Sequence, residues 1–259
     1  MPPVFWFPGL AARGRIPLMP RSNEYLLGGY TCHLTHRCHN REFLLRSMRD
    51  RDVYRHWLCE GVERFDVSVY GYCITNNHVH VVAYAKDSEA ISGLMHLAAG
   101  AVAKQYNLRA RHLGAVWEHP FHCTLVEGRR HLLNCLAYVD LNMVRAGCVP
   151  HPEAWRWCGY DEVTGQRTRY RILDLKGLVR RLGYASQEAY REEYAALLKR
   201  KIDGGELTRE PGWTESLAVG DQDFIEQAAK LYPQRSKFIC EYLPGEESRD
   251  SPVWRVRET

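Results

Sequence analysis

Two runs of strand-forming residues separated by a short turn constrain the fold of this chain more than any other feature. Residues 66–74 and 78–84 are rich in valine, tyrosine and isoleucine, which favour β-strands. Between them lies Thr75-Asn76-Asn77, and asparagine tolerates the tight backbone geometry of a turn. The pattern predicts an antiparallel hairpin. Residues 25–36 alternate in character and predict a further strand that precedes the hairpin.

Helical periodicity surrounds these strands. Ser47 and Asp50 resemble a capping pair at the start of one helix. Residues 88–106 repeat apolar side chains three and four positions apart, which indicates a second helix. Residues 129–146 predict another helix, because Gly147 follows where a helix C-terminal glycine is expected. The order of elements predicts the α+β class, with an antiparallel sheet and helices packed on one face.

Composition divides the chain into three parts. Residues 1–22 are rich in proline, glycine and arginine and predict a flexible lead-in. Residues 23–150 contain the strands and helices described above. Residues 151–259 predict a mainly helical accessory region, with helices over 174–203 and 221–232 and a mobile, charged tail.

Cysteine usage and charge indicate the setting of the protein. The chain has 9 cysteines at irregular spacing, and many lie in apolar runs, as Cys73, Cys135 and Cys148 do. The segment 32–39 lacks the paired spacing of a structural zinc site, so we expect a strand and a loop there. No secretory leader or transmembrane run is evident, which predicts a reduced, cytoplasmic protein. The net charge of +4 permits a polyanionic partner.

Two pairs of polar residues suggest a site. His78 and His80 are two positions apart on a predicted strand, so their side chains point to the same side. Tyr138 and Asn142 are four positions apart on the predicted helix and also share a side. Two imidazoles and an amide oxygen suit Mg²⁺ or Mn²⁺ with water and phosphate completing the shell. Each pattern taken alone is also typical of residues with a purely structural role.

Several motifs resemble those of one family. Residues 72–82 (YCITNNHVHVV) resemble the HUH motif of the single-tyrosine transposases, and residues 138–147 (YVDLNMVRAG) resemble their nucleophile helix. Residues 117–121 (WEHPF) and 151–157 (HPEAWRW) resemble the segments that flank this helix. The resemblance covers about residues 25–160. It is strongest to the transposases associated with repetitive extragenic palindromes (REP), within the insertion-sequence-200-like group.

Two short stretches depart from the pattern of this family. Asn142-Met143 replaces its usual Asn-Pro pair after the nucleophile. Trp157-Cys158-Gly159-Tyr160 replaces its usual Trp-Ser-Ser-Tyr. The second departure concerns the loop after the helix and leaves the four site residues intact.

The resemblance implies a ferredoxin-like, RRM-like HUH endonuclease fold and a mechanism. Tyr138 is implied as the nucleophile, and His78, His80 and Asn142 are implied as ligands of Mg²⁺ or Mn²⁺. The implied reaction cleaves and rejoins single-stranded DNA, folded as hairpins or palindromic repeats, through a covalent 5′-phosphotyrosine. Such a protein is expected at the bacterial nucleoid, away from membranes, as a monomer or homodimer.

Basic and polar residues near these motifs are candidates for DNA contacts. Arginine side chains bind phosphates, and the expected DNA-binding residues are His33, Thr35, Arg37, Arg109, Arg111, Arg129, Arg130 and Arg145. Four aromatic residues are candidates for stacking on unpaired bases, with core packing as the alternative, namely Trp117, Phe121, Trp155 and Trp157.

Besides a DNA strand transferase, two other functions remain open at this point. The second possibility is a catalytically idle DNA-binding protein that retains the HUH fold. A metalloenzyme that acts on small substrates through His78 and His80 is the third possibility. On a helical wheel of residues 129–146, one stripe is polar and consists of His131, Asn134, Tyr138, Asn142 and Arg145. Arginine and lysine cluster at 104–111, 129–130, 167–181 and 199–201. The polar stripe and the basic clusters favour a DNA substrate over a small one.

Overall fold

The computed structural model describes residues 26–118, 120–232, 238–242 and 253–258. The predicted lead-in lies outside this part of the chain, as does the predicted tail except for its strand near the C-terminus.

One mixed sheet forms the centre of the molecule. Its strands are β1 (Thr31–Arg37), β2 (Ser68–Ile74), β3 (His78–Tyr84), β4 (His122–Val126), β5 (Ala218–Gly220), β6 (Phe238–Tyr242) and β7 (Trp254–Glu258). They are arranged in the order β2-β3-β1-β4-β5-β7-β6. The β4–β5 pair is parallel, and the other paired strands are antiparallel.

The helices connect these strands and cover the sheet. They are α1 (Met48–Phe65), α2 (Ser88–Ala110), α3 (Arg129–Asp140), α4 (Asn142–Arg145), α5 (Tyr160–Thr164), α6 (Leu175–Leu182), α7 (Gln187–Asp203), α8 (Gly212–Glu215) and α9 (Gln222–Leu231). Short 3-10 turns lie at His39–Arg41 and Pro152–Ala154.

The predicted hairpin forms as expected. The Thr75 hydroxyl donates to the His78 carbonyl at 2.8 Å and accepts from its amide at 3.1 Å, which closes the turn. β2 carries a bulge between Val69 and Gly71. A Cβ atom at Gly71 would lie 2.6 Å from the Leu136 side chain, so glycine allows α3 to approach β2 closely.

The helix predicted over 129–146 is interrupted. Leu141 has φ −78° and ψ 1°, and this separates α3 from α4. The amide of Leu141 still donates to the Ala137 carbonyl at 2.9 Å, and that of Arg145 to the Leu141 carbonyl at 2.8 Å, so helical hydrogen bonds continue across the interruption. Gly147 follows with φ +67°, as predicted for a residue that ends a helix.

The α+β class is confirmed, and the first six elements follow the ferredoxin-like order β1-α1-β2-β3-α2-β4. α1 and α2 pack together on one face, as predicted. A Cβ at Gly61 of α1 would lie 2.5 Å from Leu94 of α2. On β1, His36 stacks on Trp117, whose indole donates to Ala99 of α2. His33 points to the opposite face and contacts Tyr138 of α3. The structure therefore adds α3 on the second face.

The region after residue 150 adds strands as well as the predicted helices. β5 pairs with β4, and β7 and β6 extend the sheet from there. The amide of Ile74 donates to the Trp157 carbonyl at 2.9 Å, so the segment after α4 covers the exposed edge of β2. β5 spans three residues, which is too short for alternation to reveal in the sequence.

The cysteines contribute to the core and not to cross-links. The eight cysteines whose side chains the structure describes are free. Cys73 and Cys135 are buried, as predicted, whereas Cys148 is exposed. The segment 32–39 forms β1 and the start of a turn, as predicted. Among the described residues, no helix has the length and apolar character needed to cross a membrane.

Candidate active site

β3 places two histidines on one face of the sheet. The ring centroids of His78 and His80 lie 4.8 Å apart. β3 is bonded to β2 on one side and β1 on the other, so its direction is held from both sides. His80 lies opposite Thr35 of β1 and Cys73 of β2. The two imidazoles share a face, as their spacing predicts.

α3 and α4 bring two more polar residues to these histidines. The Asn142 amide nitrogen lies 3.0 Å from Nε2 of His80. The Tyr138 ring centroid lies 5.9 Å from that of His80. Residues distant in sequence therefore converge where Tyr138 of α3 and Asn142 of α4 meet the histidines of β1 and β3.

Hydrogen bonds orient both imidazoles. Nδ1 of His78 lies 2.7 Å from Oδ1 of Asn77 and 3.0 Å from the Thr75 hydroxyl. Nδ1 of His80 lies 2.9 Å from Nε2 of His33. Because these bonds occupy Nδ1, Nε2 of each histidine is the nitrogen that could coordinate a metal ion.

Burial keeps the histidines neutral at physiological pH. It lowers the pKa of His78 to about 3, with a smaller contribution from the positive charge of Arg37. Burial also lowers the pKa of His80 well below its usual value. A neutral imidazole has the free lone pair that a metal ion requires.

The set of donors fits an open divalent-metal site. Two imidazoles and an amide oxygen provide nitrogen and oxygen ligands and leave room for solvent or phosphate oxygens. Within the described part of the chain, no group of three or more His, Cys, Asp or Glu side chains could hold a metal ion. The set centred on His80 thus depends on Asn142 and on ligands from outside the protein.

The environment of Tyr138 has two opposing effects on its hydroxyl. The residue is 5% exposed, and burial raises the pKa of the phenol. The guanidinium carbon of Arg145 lies 4.1 Å from the ring centroid, and its positive charge acts in the opposite direction. Arg145 also donates to the Tyr138 carbonyl at 3.3 Å. Arg145, predicted to contact DNA, therefore packs directly on the tyrosine.

Three other predicted DNA-binding residues belong to β1. His33 and Thr35 are buried, with exposed fractions of 0% and 7%. Both contact Nδ1 of His80, at 2.9 Å and 3.3 Å. Arg37 is half-buried at the end of β1, where it lies opposite His78. In this structure His33 and Thr35 support the candidate metal ligand instead of facing outward.

The remaining predicted DNA-binding arginines lie in two places. On α2, a single guanidinium nitrogen of Arg109, Nη2, donates to both carboxylate oxygens of Asp50 of α1 at 2.7 Å, and Arg111 is exposed just after the helix. At the start of α3, Arg129 is exposed and Arg130 is half-buried beside His131. Arg109 and Arg111 thus belong to the helical layer on the opposite face of the sheet from Tyr138.

The aromatic residues considered for base stacking have structural contacts. The Arg51 guanidinium lies 4.9 Å from the Trp155 ring centroid and 3.8 Å from that of Trp157, and the two indoles contact each other edge to face. Their indoles donate to Ile74 and Asp52, respectively. Phe121 is buried, and Trp117 stacks on His36. Phe121 and Trp157 are buried, as core packing predicts, whereas Trp117 and Trp155 are half-buried, and stacking of these two on bases stays a prediction.

One contact at the site had no signal in the sequence. The backbone carbonyl of Trp213, in α8, lies 2.8 Å from Nδ1 of His33. Every residue type carries such a carbonyl, so no motif or periodicity marks it. Only the three-dimensional arrangement identifies α8 as a neighbour of the histidines.

Residues 28–142 match the family model described as "Transposase IS200 like". This confirms, over that segment, the family recognised from the motifs. No curated protein matches the chain. Among solved structures, "Structure of the REP associates tyrosine transposase bound to a REP hairpin" is similar, with a TM-score of 0.45 and 16% sequence identity, covering 57% of this chain and 87% of that one. The family match includes β1 to β4 and α3 and ends at Asn142, before α8.

Proposed function

We propose that this chain cuts and rejoins single-stranded DNA through a covalent bond to Tyr138. Its residues 28–142 match the IS200-like transposases. One observation carries the proposal, namely the convergence of this tyrosine with two neutral histidines and an amide. The centroid of His80 lies 5.9 Å from that of Tyr138 and 4.8 Å from that of His78. Asn142 lies 3.0 Å from His80.

His78, His80 and Asn142 would hold Mg²⁺ or Mn²⁺ in this proposal. When bound, the ion would polarise the scissile phosphate and offset negative charge in the transition state. The protein supplies the two Nε2 lone pairs and the amide oxygen, and it excludes solvent from the far side of His80 through His33 and Thr35.

The covalent step exchanges one phosphate ester for another. The Tyr138 oxygen forms a bond to phosphorus while the bond from phosphorus to the 3′ oxygen breaks. The phenol proton passes to solvent, and the leaving 3′ oxygen takes up a proton from solvent. The products are a 5′-phosphotyrosine and a free 3′-hydroxyl. Since the phosphodiester energy is retained, the hydroxyl of another strand can reverse the reaction without ATP.

Arg145 assists the tyrosine in this mechanism. Its guanidinium lies over the Tyr138 ring and favours the phenolate form against the effect of burial. The substrate in this proposal is single-stranded DNA that includes hairpins and palindromic repeats, in line with the resemblance of the motifs to REP-associated transposases. Arg129 and Arg130, at the start of α3, would contact its phosphates.

A catalytically idle DNA-binding protein is the second candidate. The observation in its favour is the burial of Tyr138, which is 5% exposed and has the Trp213 ring 6.4 Å away. A nucleophile in this position needs some local movement before a phosphate can reach its oxygen. An idle protein would bind DNA without that movement.

A covalent-adduct assay tests the proposal. The protein is incubated with labelled single-stranded and hairpin oligonucleotides in Mn²⁺ or Mg²⁺ and resolved by denaturing gel electrophoresis. We expect a labelled adduct that is lost with EDTA and in Tyr138→Phe, while DNA binding is retained. Tyr106→Phe is the matched control, because Tyr106 lies on α2 across the sheet, and it should form the adduct normally.

The same assay separates the two candidates. Absence of any adduct across a broad oligonucleotide pool, with DNA binding intact, would favour the idle protein. An adduct that persists in Tyr138→Phe would show that another residue is the nucleophile.

A further inference from the structure

The C-terminal region contributes a backbone carbonyl to the histidine cluster. Trp213 is 1% exposed in α8, and its carbonyl oxygen lies 2.8 Å from Nδ1 of His33. A carbonyl can only accept a hydrogen bond, so Nδ1 of His33 carries the hydrogen. In a neutral imidazole the other nitrogen, Nε2, then has the lone pair.

The position of the hydrogen on His33 determines its position on His80. Nε2 of His33 lies 2.9 Å from Nδ1 of His80, so Nδ1 of His80 must donate the hydrogen. The Thr35 hydroxyl, at 3.3 Å, is a second and longer partner of the same nitrogen. Nε2 of His80 therefore has its lone pair directed towards Asn142 and the candidate metal site.

The far end of the chain of hydrogen bonds agrees with this direction. The Asn142 atom closest to Nε2 of His80 is Nδ2, a donor, which needs an acceptor at that position. With Nδ2 as the donor, this contact agrees with the tautomer of His80 that the Trp213 carbonyl sets, and a metal ion bound at Nε2 would take the place of the contact. Both rings are buried, so water does not compete for these bonds.

We infer that His33 and the Trp213 carbonyl are positioning groups that hold His80 in the tautomer able to bind a divalent metal ion through Nε2. The inference rests on the proposed function, because it concerns the metal site of that reaction. It makes the segment around α8, which lies beyond the residues of the family match, a part of the active site.

β4 holds this segment in place. The Thr124 hydroxyl lies 2.6 Å from the Ser216 carbonyl and 3.1 Å from the Trp213 carbonyl. His122 lies 2.9 Å from the Ser216 carbonyl as well. The single hydrogen of the Thr124 hydroxyl is shared between these two carbonyls with the shorter bond to Ser216, so the Trp213 carbonyl accepts from His33 and has Thr124 as a longer, second partner. Its position relative to His33 is therefore fixed from two strands.

A purely structural role for His33 is the competing explanation. Its ring lies edge to edge with that of His80, with centroids 5.0 Å apart and planes 20° apart. Phenylalanine would keep a flat aromatic ring in this place and lose both nitrogens. Glutamine would lose the ring but keep a donor for Trp213 and an acceptor for His80. If His33 acts only through its ring, His33→Phe should bind Mn²⁺ better than His33→Gln. If it acts through its nitrogens, His33→Gln should bind better.

The first test reads the tautomers directly. Nitrogen-15 NMR of the metal-free, histidine-labelled protein near neutral pH distinguishes protonated from unprotonated ring nitrogens. We expect Nδ1–H and an unprotonated Nε2 for both His33 and His80. A hydrogen on Nε2 of either ring would overturn the inference.

The second test measures Mn²⁺ affinity by titration of the full chain. His33→Phe should weaken binding by about 10- to 100-fold, the usual cost of losing a group that orients a metal ligand. His33→Gln should recover part of this loss. His112→Phe is the matched control, since His112 lies just after α2 and contacts Asn107, on the opposite side of the sheet from His80, and it should bind Mn²⁺ like the wild type. Thermal unfolding checks that each variant is folded.

The outcomes separate this inference from the proposed function. Unchanged Mn²⁺ affinity in folded His33→Phe, or no Mn²⁺ binding by the wild type, would overturn the inference. A protein that forms no DNA adduct, yet shows these tautomers and the predicted ranking of Mn²⁺ affinities, would remove the strand-transfer function and support the positioning role.

Discussion

The two faces of β1 are equally buried but chemically opposite. Towards α1 and α2, Cys32 and Leu34 are 0% exposed and pack in the apolar core. Towards α3, His33 and Thr35 are 0% and 7% exposed and join a hydrogen-bonded network. Burying polar groups costs free energy unless each has a partner, and here each has one. The comparison teaches that one face of this strand stabilises the fold while the other organises the site.

The largest expected effect concerns the apolar face. Leu34→Ala leaves a cavity in the core and should lower the free energy of unfolding by about 2–5 kcal/mol. Urea denaturation of the metal-free protein measures this change. Mn²⁺ affinity of the folded fraction should stay near that of the wild type. A large fall in affinity with little loss of stability would contradict the division between the two faces.

A change at Asn142, beside the histidines, should instead lower Mn²⁺ affinity more than stability. Asn142→Ala removes the amide next to His80 and should weaken Mn²⁺ binding at least about 10-fold, as loss of metal-orienting groups does. Calorimetric titration measures the affinity. Asn134→Ala is the matched control, because Asn134 is a half-buried asparagine on α3, eight residues earlier. Equal affinities in the two variants would exclude Asn142 from the metal site.

A pH profile of stability sharpens the comparison further. Burial lowers the pKa of His33 to about 4, whereas an unfolded histidine titrates near 6.5. Between these values the unfolded chain binds a proton that the folded protein does not, so acidification favours unfolding. His33→Phe should remove about 1.4 kcal/mol per pH unit from the slope of the unfolding free energy between about pH 6 and 4.

Leu34→Ala is the control for this profile. It changes no titrating group, so its stability should fall in parallel with that of the wild type across the same pH range. A His33→Phe profile that is also parallel to the wild type would show that His33 titrates normally in the folded protein.

Some elements of this structure could be predicted from sequence because their signal lies in side chains. The hairpin, the shared face of His78 and His80, and the pairing of Tyr138 with Asn142 follow from periods of 2 and 3.6 residues. The helical wheel also placed Tyr138 on a polar stripe, but polarity did not imply exposure, because His33 and His80 provide a polar surface inside the protein.

Other features depend on contacts between distant residues and left no local pattern. Arg109 was predicted to bind phosphate, but in the structure it forms an ion pair with Asp50 of α1. β5 is three residues long and exists because β4 and β7 flank it. The contribution of Trp213 is a backbone carbonyl. Pairings of this kind are set by the tertiary fold, so periodicity and composition cannot reveal them.

The smallest expected effect concerns Arg129 and Arg130 at the start of α3, which we expect to contact DNA phosphates. Arg129→Ala with Arg130→Ala should weaken binding of hairpin DNA and reduce its dependence on salt. Each lost phosphate contact lowers the slope of log affinity against log salt by roughly 0.7–0.9. Fluorescence anisotropy at several salt concentrations measures this slope. The Lys199→Ala, Arg200→Ala pair on the exposed side of α7 is the matched control and should keep the wild-type slope. Identical slopes for both pairs would mean that DNA does not contact the start of α3.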